Sequence, residues 1–409
     1  MKDDISNVPA PTGAIDWASE KHVGAVVDHA GRLVARYEFS HTAAGLAAML
    51  RRFAQHGVER VAIERPDGPV VETLLDAGLQ VFVIHPRQLK NLRGRYGNAG
   101  NKDDDLDAFV LADVLRTDQL RLRPLERDTD ATRALRALTR ARKDLVEARV
   151  ALTNQLLANL QLALPGAIGL FYDLDSPISL AWLRRFTTQT QADWLSPKRF
   201  DAWLRGQGYC GGKSGQQLHD HLTAAPRGLE GIEGDARGLV TRTLLDAIGH
   251  LNDRIALLER QIREQLELHP DAHIFTSLPK GGIVRAATLL AEIGDARGRF
   301  PTDDALAALA GCAPSTRRSG KLHAVTFRFA CDKKLREAII SFADDSRHAS
   351  PWAADIYARA RARNLRHPHA VRILARAWIR VIWRCWQDGT AYDPDKHGGH
   401  QKLLLTTAA

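Results

Sequence analysis

The 409-residue sequence is poor in cysteine, methionine and tyrosine, with four, two and six of each. Cys210, Cys312, Cys331 and Cys385 are scattered singly with no C-x-x-C pair, which excludes a disulfide-stapled scaffold and a cysteine-rich zinc module. We expect four reduced thiols in the interior of a cytoplasmic protein. No apolar run approaches the roughly 20 residues of a membrane span, and the opening Met1-Lys2-Asp3-Asp4 does not read as a secretory signal. Acid is in deficit as well: 48 Asp and Glu face 57 Lys and Arg, a formal net charge of +9. Such an excess favours a polyanionic partner. With 44% hydrophobic and 26% charged residues the chain reads as globular, and its length suggests two or three domains.

Periodicity orders the first third. Strand patterns run over Ala14–Trp17, His22–Asp28 and Leu33–Phe39, with Gly31 at a turn. From Thr42 the period changes to that of a helix, with Leu46, Met49, Leu50 and Phe53 on one face and Gly57 at its end. Val61–Glu64 reads as a strand, Pro69–Ala77 as a helix, and Gln80–Ile84 as a buried strand closed by Pro86. The basic stretch Arg87–Lys102 shows no period and is expected to be a mobile loop. A helix follows from Asp104 to about Thr117. Three meandering strands followed by alternating helices and strands is the chain order of an RNase H-like α/β domain, not of a doubly wound sheet.

The middle is helical. Leu244, Ile248, Leu251, Ile255, Leu258 and Ile262 form a heptad seam whose natural partner is the segment Leu135–Leu164. A projecting antiparallel coiled coil and an ordinary amphipathic pair both fit this pattern. A helical insert with Trp182, Trp194 and Trp203 separates the two arms. The last third is mainly α: a Gly turn and helix from Gly281 to Ile293, a Pro/Ser/Arg-rich loop, a basic helix from Pro368 to about Gln387, and a mobile tail after Asp393. The expected parts are therefore 1–125, 126–268 and 269–409.

Four acids stand out. Asp16 lies in the apolar first strand, Glu64 ends a later one, and Asp104 and Asp107 share a face at a helix start. Carboxylates on two adjacent strands and a helix end can converge, and converging carboxylates call for divalent cations. Two Mg²⁺ ions, for which Mn²⁺ would substitute, suit such an oxygen-rich cluster and clamp both reacting oxygens of a phosphodiester. Taken singly, Asp103–Asp105 reads as a helix cap and Asp16 as a strand-end residue.

Ala14-Ile15-Asp16, Ala62-Ile63-Glu64 and Lys102-Asp103-Asp104-Asp105-Leu106-Asp107-Ala108 resemble the DEDD motif of the transposases of the bacterial insertion-sequence one-ten family, which includes the pilin-gene invertases. Ala286–Asp295 and Ala310–Lys321 resemble that family's C-terminal block. The resemblance implies a RuvC-like N-terminal domain that binds Mg²⁺ through Asp16, Glu64, Asp104 and Asp107. It implies a serine nucleophile at Ser319, and recombination of donor and target DNA under the guidance of a structured bridge RNA. It also implies homodimers that pair into tetramers, in a cytoplasmic protein that is nucleoid-associated when acting. Pro279-Lys280-Gly281-Gly282 departs from the family's Pro-Gly-Ile-Gly turn, and Cys331-Asp332 stands where Gly-Asn is usual. The rivals are a Holliday-junction-resolvase-like nuclease without serine chemistry, and a non-catalytic nucleic-acid-binding protein.

On residues alone, Arg317-Arg318-Ser319-Gly320-Lys321 reads as a cationic turn, with Ser315 the fallback nucleophile. Arg372, Arg376, Arg380 and Arg384 recur every fourth residue as a cationic stripe, to which Arg359, Arg361 and Arg363 add. Arg133, Arg136, Arg140, Arg142 and Lys143 make a second cluster. Phosphate contact is the expected use of these and of Lys280, Arg317, Arg318 and Lys321. Trp378, Trp383 and Trp386 are expected in the core. Gly211-Gly212-Lys213-Ser214 lacks the earlier glycine of a phosphate loop, and the histidine pairs at 219/221, 367/369 and 397/400 lack further zinc ligands.

Overall fold

A computed structural model describes residues 10–96, 104–319 and 322–408, which fall into two compact units, Met1–Arg127 and Asp128–Ala409.

The N-terminal unit is a mixed five-stranded sheet in the order β3-β2-β1-β4-β5. Its strands are β1 (Thr12–Asp16), β2 (Lys21–Val27), β3 (Leu33–Ser40), β4 (Arg60–Ile63) and β5 (Gln80–Val83). The first three form an antiparallel meander, and β1, β4 and β5 are parallel. Two helices cover one face: α1 (Ala43–Gln55), capped by the Thr42 hydroxyl, and α2 (Pro69–Asp76), with proline in its first turn. Ile15, Val26, Val61, Ile63 and Val81 point toward Met49, Phe53, Val70 and Leu74 on this side. Gly13 is required here, because a Cβ would stand 2.7 Å from the Phe53 ring. On the other face Ala14, Val27, Ala62 and Phe82 meet Val110, Leu111, Val114 and Leu115 of α4 (Asp104–Asp118).

Part of the stretch read as an aperiodic loop is α3 (Pro86–Arg93); residues 97–103 of it lie outside the described residues. Pro86 starts the helix, and the fully buried Leu89, with Leu92 beside it, docks it against the α4 face. Leu89 and Leu92, three residues apart, give this otherwise polar helix a narrow apolar side, too short a pattern to stand out in the sequence.

The C-terminal unit is almost wholly helical. Two long helices, α5 (Asp130–Ala163) and α10 (Gly231–Glu267), run antiparallel, as the pairs Arg142–Glu259, Arg149–Asn252 and Asn159–Thr241 fix. At one end, Leu156, Leu160, Leu245 and Ile248 join a core built with α6 (Pro177–Arg185), α7 (Gln189–Ala192), α8 (Pro197–Gly206) and α9 (Gly215–Ala224), around Trp182 and Phe200. At the other end, Leu135, Ile262 and Leu266 join a second core. It is built with α11 (Ala272–Thr276), α12 (Ile283–Ile293), α13 (Asp303–Leu309), α14 (Lys333–Ser346), α15 (Pro351–Ala362) and α16 (His367–Asp388). Between the cores, residues 141–155 of α5 are at most half-buried, and the seam is carried by Leu145, Leu152, Leu251 and the buried Ile255.

Three further expectations are corrected. The Pro/Ser/Arg-rich loop contains a hairpin, β6 (Ser315–Ser319) and β7 (Leu322–Thr326). The segment expected as a mobile tail ends in α17 (Gly398–Ala408), with His397 packed edge-on against Trp352 at 4.4 Å. Cys210 is exposed, whereas Cys312 is buried and its thiol is pushed up to about 12 by that burial. Trp378 and Trp386 are fully buried, and each satisfies its indole N–H, on Ser346 Oγ (2.7 Å) and the Gly294 carbonyl (2.8 Å). Lys213 binds the Gly169 and Leu170 carbonyls and Ser214 caps α9, so that segment has a structural use. Among the described residues no helix is long and apolar enough to cross a membrane.

His269 is buried between Thr132 Oγ1, 2.8 Å from Nε2, and the Asp271 N–H, which donates to Nδ1 at 3.1 Å. One ring nitrogen accepts and the other donates, so the ring is neutral. Burial lowers its pKa, against the opposing pull of Asp271 and Asp295. A lowered folded-state value means that the unfolded chain takes up the proton first. Stability is therefore complete above about pH 6.5 and falls below it, by up to about 1.4 kcal/mol per pH unit for one proton. Urea unfolding at stepped pH should show this slope in the native sequence and a shallower one in His269→Gln, since His22 and His397 are shifted in the same direction.

The two-helix span makes a second expectation. Leu251→Glu with Ile255→Glu would place two carboxylates in the seam, at a cost of several kcal/mol. Limited proteolysis should then cut within residues 141–155 and the facing part of α10. A span that stays uncut would show that the seam does not hold the pair together.

Candidate functional site

Alternation along β1 and β4 sets the position of the first two acids. Ala14 and Ala62 pack on the α4 face, and the Thr12 hydroxyl donates to the Ala112 carbonyl of α4 at 2.9 Å. Side chains two residues on share that face. The parallel register pairs Ala14 with Ala62 and Ile15 with Ile63. The next step sets Asp16, the last residue of β1 and not its middle, beside Glu64, just past β4. Both are half-buried. The strand ends stay together beyond the ladder, because the Arg65 guanidinium lies 4.3 Å from the centroid of the Trp17 ring.

The C-terminal half of α4 lies beside Thr12 through Ala112 and beside His29 through Arg116, so its N-terminal turn lies toward the Asp16 end of β1. Asp104 opens the helix; its side chain lies outside the described residues. Asp107, one turn on, is only 2% exposed. Arg93 of α3 forks it, with Nε donating to Oδ1 at 2.5 Å and the second guanidinium arm donating to Oδ2. Among the described residues no three His, Cys, Asp or Glu stand close enough to hold a metal ion. The carboxylates have the chemistry for a hard divalent cation; Asp16 and Glu64 follow the paired Ile15 and Ile63 on adjoining strands, while Asp107 is turned to Arg93.

Sequence reasoning missed three groups around these acids. Asp113, one and a half turns beyond Asp107, accepts the Tyr96 hydroxyl at 2.8 Å and Arg116 Nε at 2.8 Å. Burial and that hydrogen bond push the Tyr96 phenol far above its ordinary range. His22 is fully buried beside the end of β1, accepts the Ala18 N–H on Nδ1 at 3.2 Å, and places Nε2 2.8 Å from His41 Nδ1. Burial, then the neighbouring His41, holds its pKa down, so the ring is neutral. Spacing signals only the Asp113–Arg116 pair, three residues apart on α4; the other contacts join residues from different elements. Arg93 carried a weak signal as a cation within a carboxylate-rich region.

Ser319 is exposed at the end of β6, paired with Leu322 across the hairpin. Gly320 and Lys321, and the side chains of Arg317 and Arg318, lie outside the described residues. Ser315 sits at the hairpin base, where its carbonyl accepts the Thr326 hydroxyl at 3.2 Å. Lys280 is exposed in the left-handed region (φ 58°) ahead of α12, its carbonyl bonded by Arg285 at 2.6 Å.

The cationic stripe on α16 is not bare. Arg376 reaches Asp303 at 2.9 Å and also Asp304, Arg380 reaches Asp303 at 3.5 Å, and Arg384 pairs with Asp388 at 2.7 Å. Arg359 pairs with Asp355 at 2.7 Å. On α5, Arg133, Arg136, Arg140, Arg142 and Lys143 pair with Asp130, Asp128, Glu292, Glu259 and Glu337. Most of these acids are distant in sequence, so spacing along one helix could not reveal them. Arg372 has no carboxylate partner among the described residues and lies 4.7 Å over the Phe327 ring.

Comparison with known proteins adds the following. A family model described as transposase matches residues 14–165, and one described as transposase of the IS116/IS110/IS902 family matches residues 272–358. The chain is 32% identical over 403 residues to a Streptomyces coelicolor protein named as the mini-circle transposase for IS117, covering 93% of this chain and 95% of that one. It is 27% identical over 390 residues to a protein of insertion element IS110 from the same organism, across 93% and 94% of the two chains. With a protein of insertion element IS900 from Mycobacterium paratuberculosis it shares 28% over 398 residues, across 93% and 96%.

Proposed function

The chain belongs to the IS116/IS110/IS902 family of insertion-sequence transposases, and from that premise we propose that it cuts and rejoins DNA with Asp16, Glu64, Asp104, Asp107 and the Ser319 hydroxyl. The observation that carries the reading is the juxtaposition of Asp16 and Glu64 on adjoining parallel strands, on the face covered by α4, whose first two turns carry Asp104 and Asp107. A strand meander followed by parallel strands and a covering helix supports an RNase H-like, RuvC-like reading of this unit. We read residues 1–125 as the DEDD part, 126–268 as the coiled-coil dimerisation arm and 269–409 as the serine-bearing DNA-binding part. The four carboxylates would hold Mg²⁺, or Mn²⁺ in its place. Such ions would neutralise the acids and stabilise charge developing on the phosphodiester.

Arg93 has a stated place in this reading. A guanidinium fork and a divalent cation cannot share the same two oxygens of Asp107, so Arg93 and metal compete for that carboxylate. Arg93→Ala should tighten Mn²⁺ binding by roughly tenfold, about 1.4 kcal/mol, and Asp107→Asn should weaken it, as titration calorimetry of the full chain would measure. Unchanged or weaker binding in Arg93→Ala would remove Asp107 from the ligand set.

For strand exchange, a bond forms between Ser319 Oγ and phosphorus as one bridging P–O ester bond breaks. The serine proton ends on the leaving deoxyribose hydroxyl, and attack by another strand's hydroxyl reverses the step. One phosphodiester is exchanged for another, so no external energy source is needed. Exposure of Ser319 at the hairpin end, beside Arg317, Arg318 and Lys321 in sequence, supports its access to a phosphate. Lys280, Arg317, Arg318, Lys321 and Arg372 would hold the DNA backbone. Arg380 and Arg384 would exchange carboxylate for phosphate, their exposed ion pairs being worth about 0–1 kcal/mol, and the half-buried Arg376, shared by Asp303 and Asp304, would do so at greater cost. Guidance by a structured bridge RNA, and homodimers pairing into tetramers, complete the proposal and rest on family membership and the +9 charge.

The deciding measurement is mass spectrometry of the protein trapped on a phosphorothiolate-bearing donor DNA. An adduct on Ser319, absent in Ser319→Ala with DNA binding retained, is the expected result. An adduct on Ser315 would move the nucleophile, and recombination by Ser319→Ala with no adduct would leave a metal-dependent nuclease.

A further inference from the structure

At the base of the hairpin that carries Ser319, the residue following β7 is Phe327. It forms one wall of a cavity of about 270 Å³ between α14 and α16. Ile340 and the buried Val371 make its apolar lining, the exposed Ser341 stands on its rim, and Asp344 also lines it, held by Arg347 at 2.8 Å and 3.6 Å from His367. Two guanidinium groups lie over the Phe327 ring, Arg336 at 4.5 Å and Arg372 at 4.7 Å. Neither has a carboxylate partner among the described residues. The Arg336 Nε is buried and donates to nothing among them, although another nitrogen of the same group donates to the Arg328 carbonyl. Beside Phe327, 4.8 Å away and edge-on, the Phe329 ring is 78% exposed.

These features combine what an unpaired nucleobase requires. A base is flat and apolar on its faces, with acceptors on its edge, and it is carried on a polyanionic backbone. Aromatic rings and guanidinium planes take up such faces by stacking, and guanidinium N–H groups meet acceptors on the edge or on the backbone. A hydrophobic protein side chain would match the apolar lining but not two guanidinium groups over one aromatic ring. A free carboxylate would match the cations but not the aromatic wall. From Ser319 to Thr326, the paired ends of the hairpin are four strand steps apart, about 13 Å, which is roughly four nucleotides of a stacked strand.

We propose that this cavity receives an unstacked base of the DNA strand held at Ser319, with Phe329 as an outer stacking platform. The inference rests on the DNA-recombining reading of the hairpin and adds to it a base-binding site. It gives Arg372 the role of holding a base plane as well as a phosphate, which separates it from the acid-paired arginines farther along α16.

The test uses the full-length protein and single-stranded oligodeoxynucleotides with 2-aminopurine placed at successive positions. Binding should quench the fluorescent base at one position and not at its neighbours. Ser341→Trp, which plugs the mouth from an exposed site, should abolish that quenching and weaken binding by about fivefold or more, with the thermal melt unchanged. Arg372→Gln should do the same and reduce the slope of log affinity against log salt by about one; it serves if the tryptophan variant does not fold. Quenching that persists in both folded variants would overturn the proposal, as would selective quenching of the oligoribonucleotide alone. If the strand binds and the Ser319 adduct forms while no base is quenched, the pocket falls and the function stands. If no strand binds at all, both fall.

Discussion

Where the chain enters its C-terminal unit, the buried Asp128 carboxylate accepts the backbone N–H groups of Asp295 and Ala296 at 2.9 and 3.2 Å, and also the Arg136 guanidinium. Next to it the Thr129 hydroxyl donates to Asp295 while Thr129 caps α5, and the Arg140–Glu292 fork ties α5 to α12 one turn further on. The start of a 34-residue helix is thereby pinned to the end of another one more than 150 residues away in sequence. Gly294 is the condition for it. Its φ of 88° suits glycine, and a Cβ would stand 2.3 Å from Asp128 Oδ1. The Gly294 carbonyl takes the Trp386 indole, so the same residue anchors α16. The hairpin with Ser319 and the cavity behind it are built on α14 and α16, and so depend on this knot for their placement within the unit.

The knot also gives a structural use to Glu292 and Asp295, within the stretch Ala286–Asp295 that resembles the family's C-terminal block. Glu292 and Asp295 serve structure: one is the buried partner of Arg140, and the other, despite burial, is held below the usual carboxylate range by hydrogen bonds from Thr129. Cations follow the same rule. Much of the positive charge legible as stripes on α5 and α16 is consumed within the protein by acids from other elements. The positive surface offered to a polyanion is narrower than the sequence suggests, and Arg372, over an aromatic ring, lies within what is left.

What could be read in advance divides along a physical line. Some elements are written locally: α1, α5, α10 and α16 by the helical period of one buried face, and β1, β4 and α4 as apolar runs buried on more than one side. The antiparallel pairing of α5 with α10 followed from the seam. The adjoining placement of Asp16 and Glu64 follows from alternation on two strands once these are known to be neighbours. What escaped has too short a pattern or none. Helix α3 carries only Leu89 and Leu92 on its apolar side and is pinned besides by the Arg93–Asp107 fork, and the β6–β7 hairpin has polar residues on both faces. The Arg93–Asp107 fork and the His22–His41 contact are likewise products of folding.

That fork bears on how an acid-rich site can exist in a stable fold. A carboxylate left 2% exposed without compensating charge would cost several kcal/mol, or would be protonated. The chain meets this demand at Asp107 with a guanidinium from α3, a helix of eight residues held by Leu89, Leu92 and this same ion pair. Short elements with few apolar anchors are the kind that open locally. The charge that stabilises the fold is therefore mounted on a short peripheral helix. An arginine fixed on a central strand would satisfy Asp107 equally well, but it would bar any other cation from that carboxylate. Placing it on α3 keeps both states of the acid accessible to the same fold.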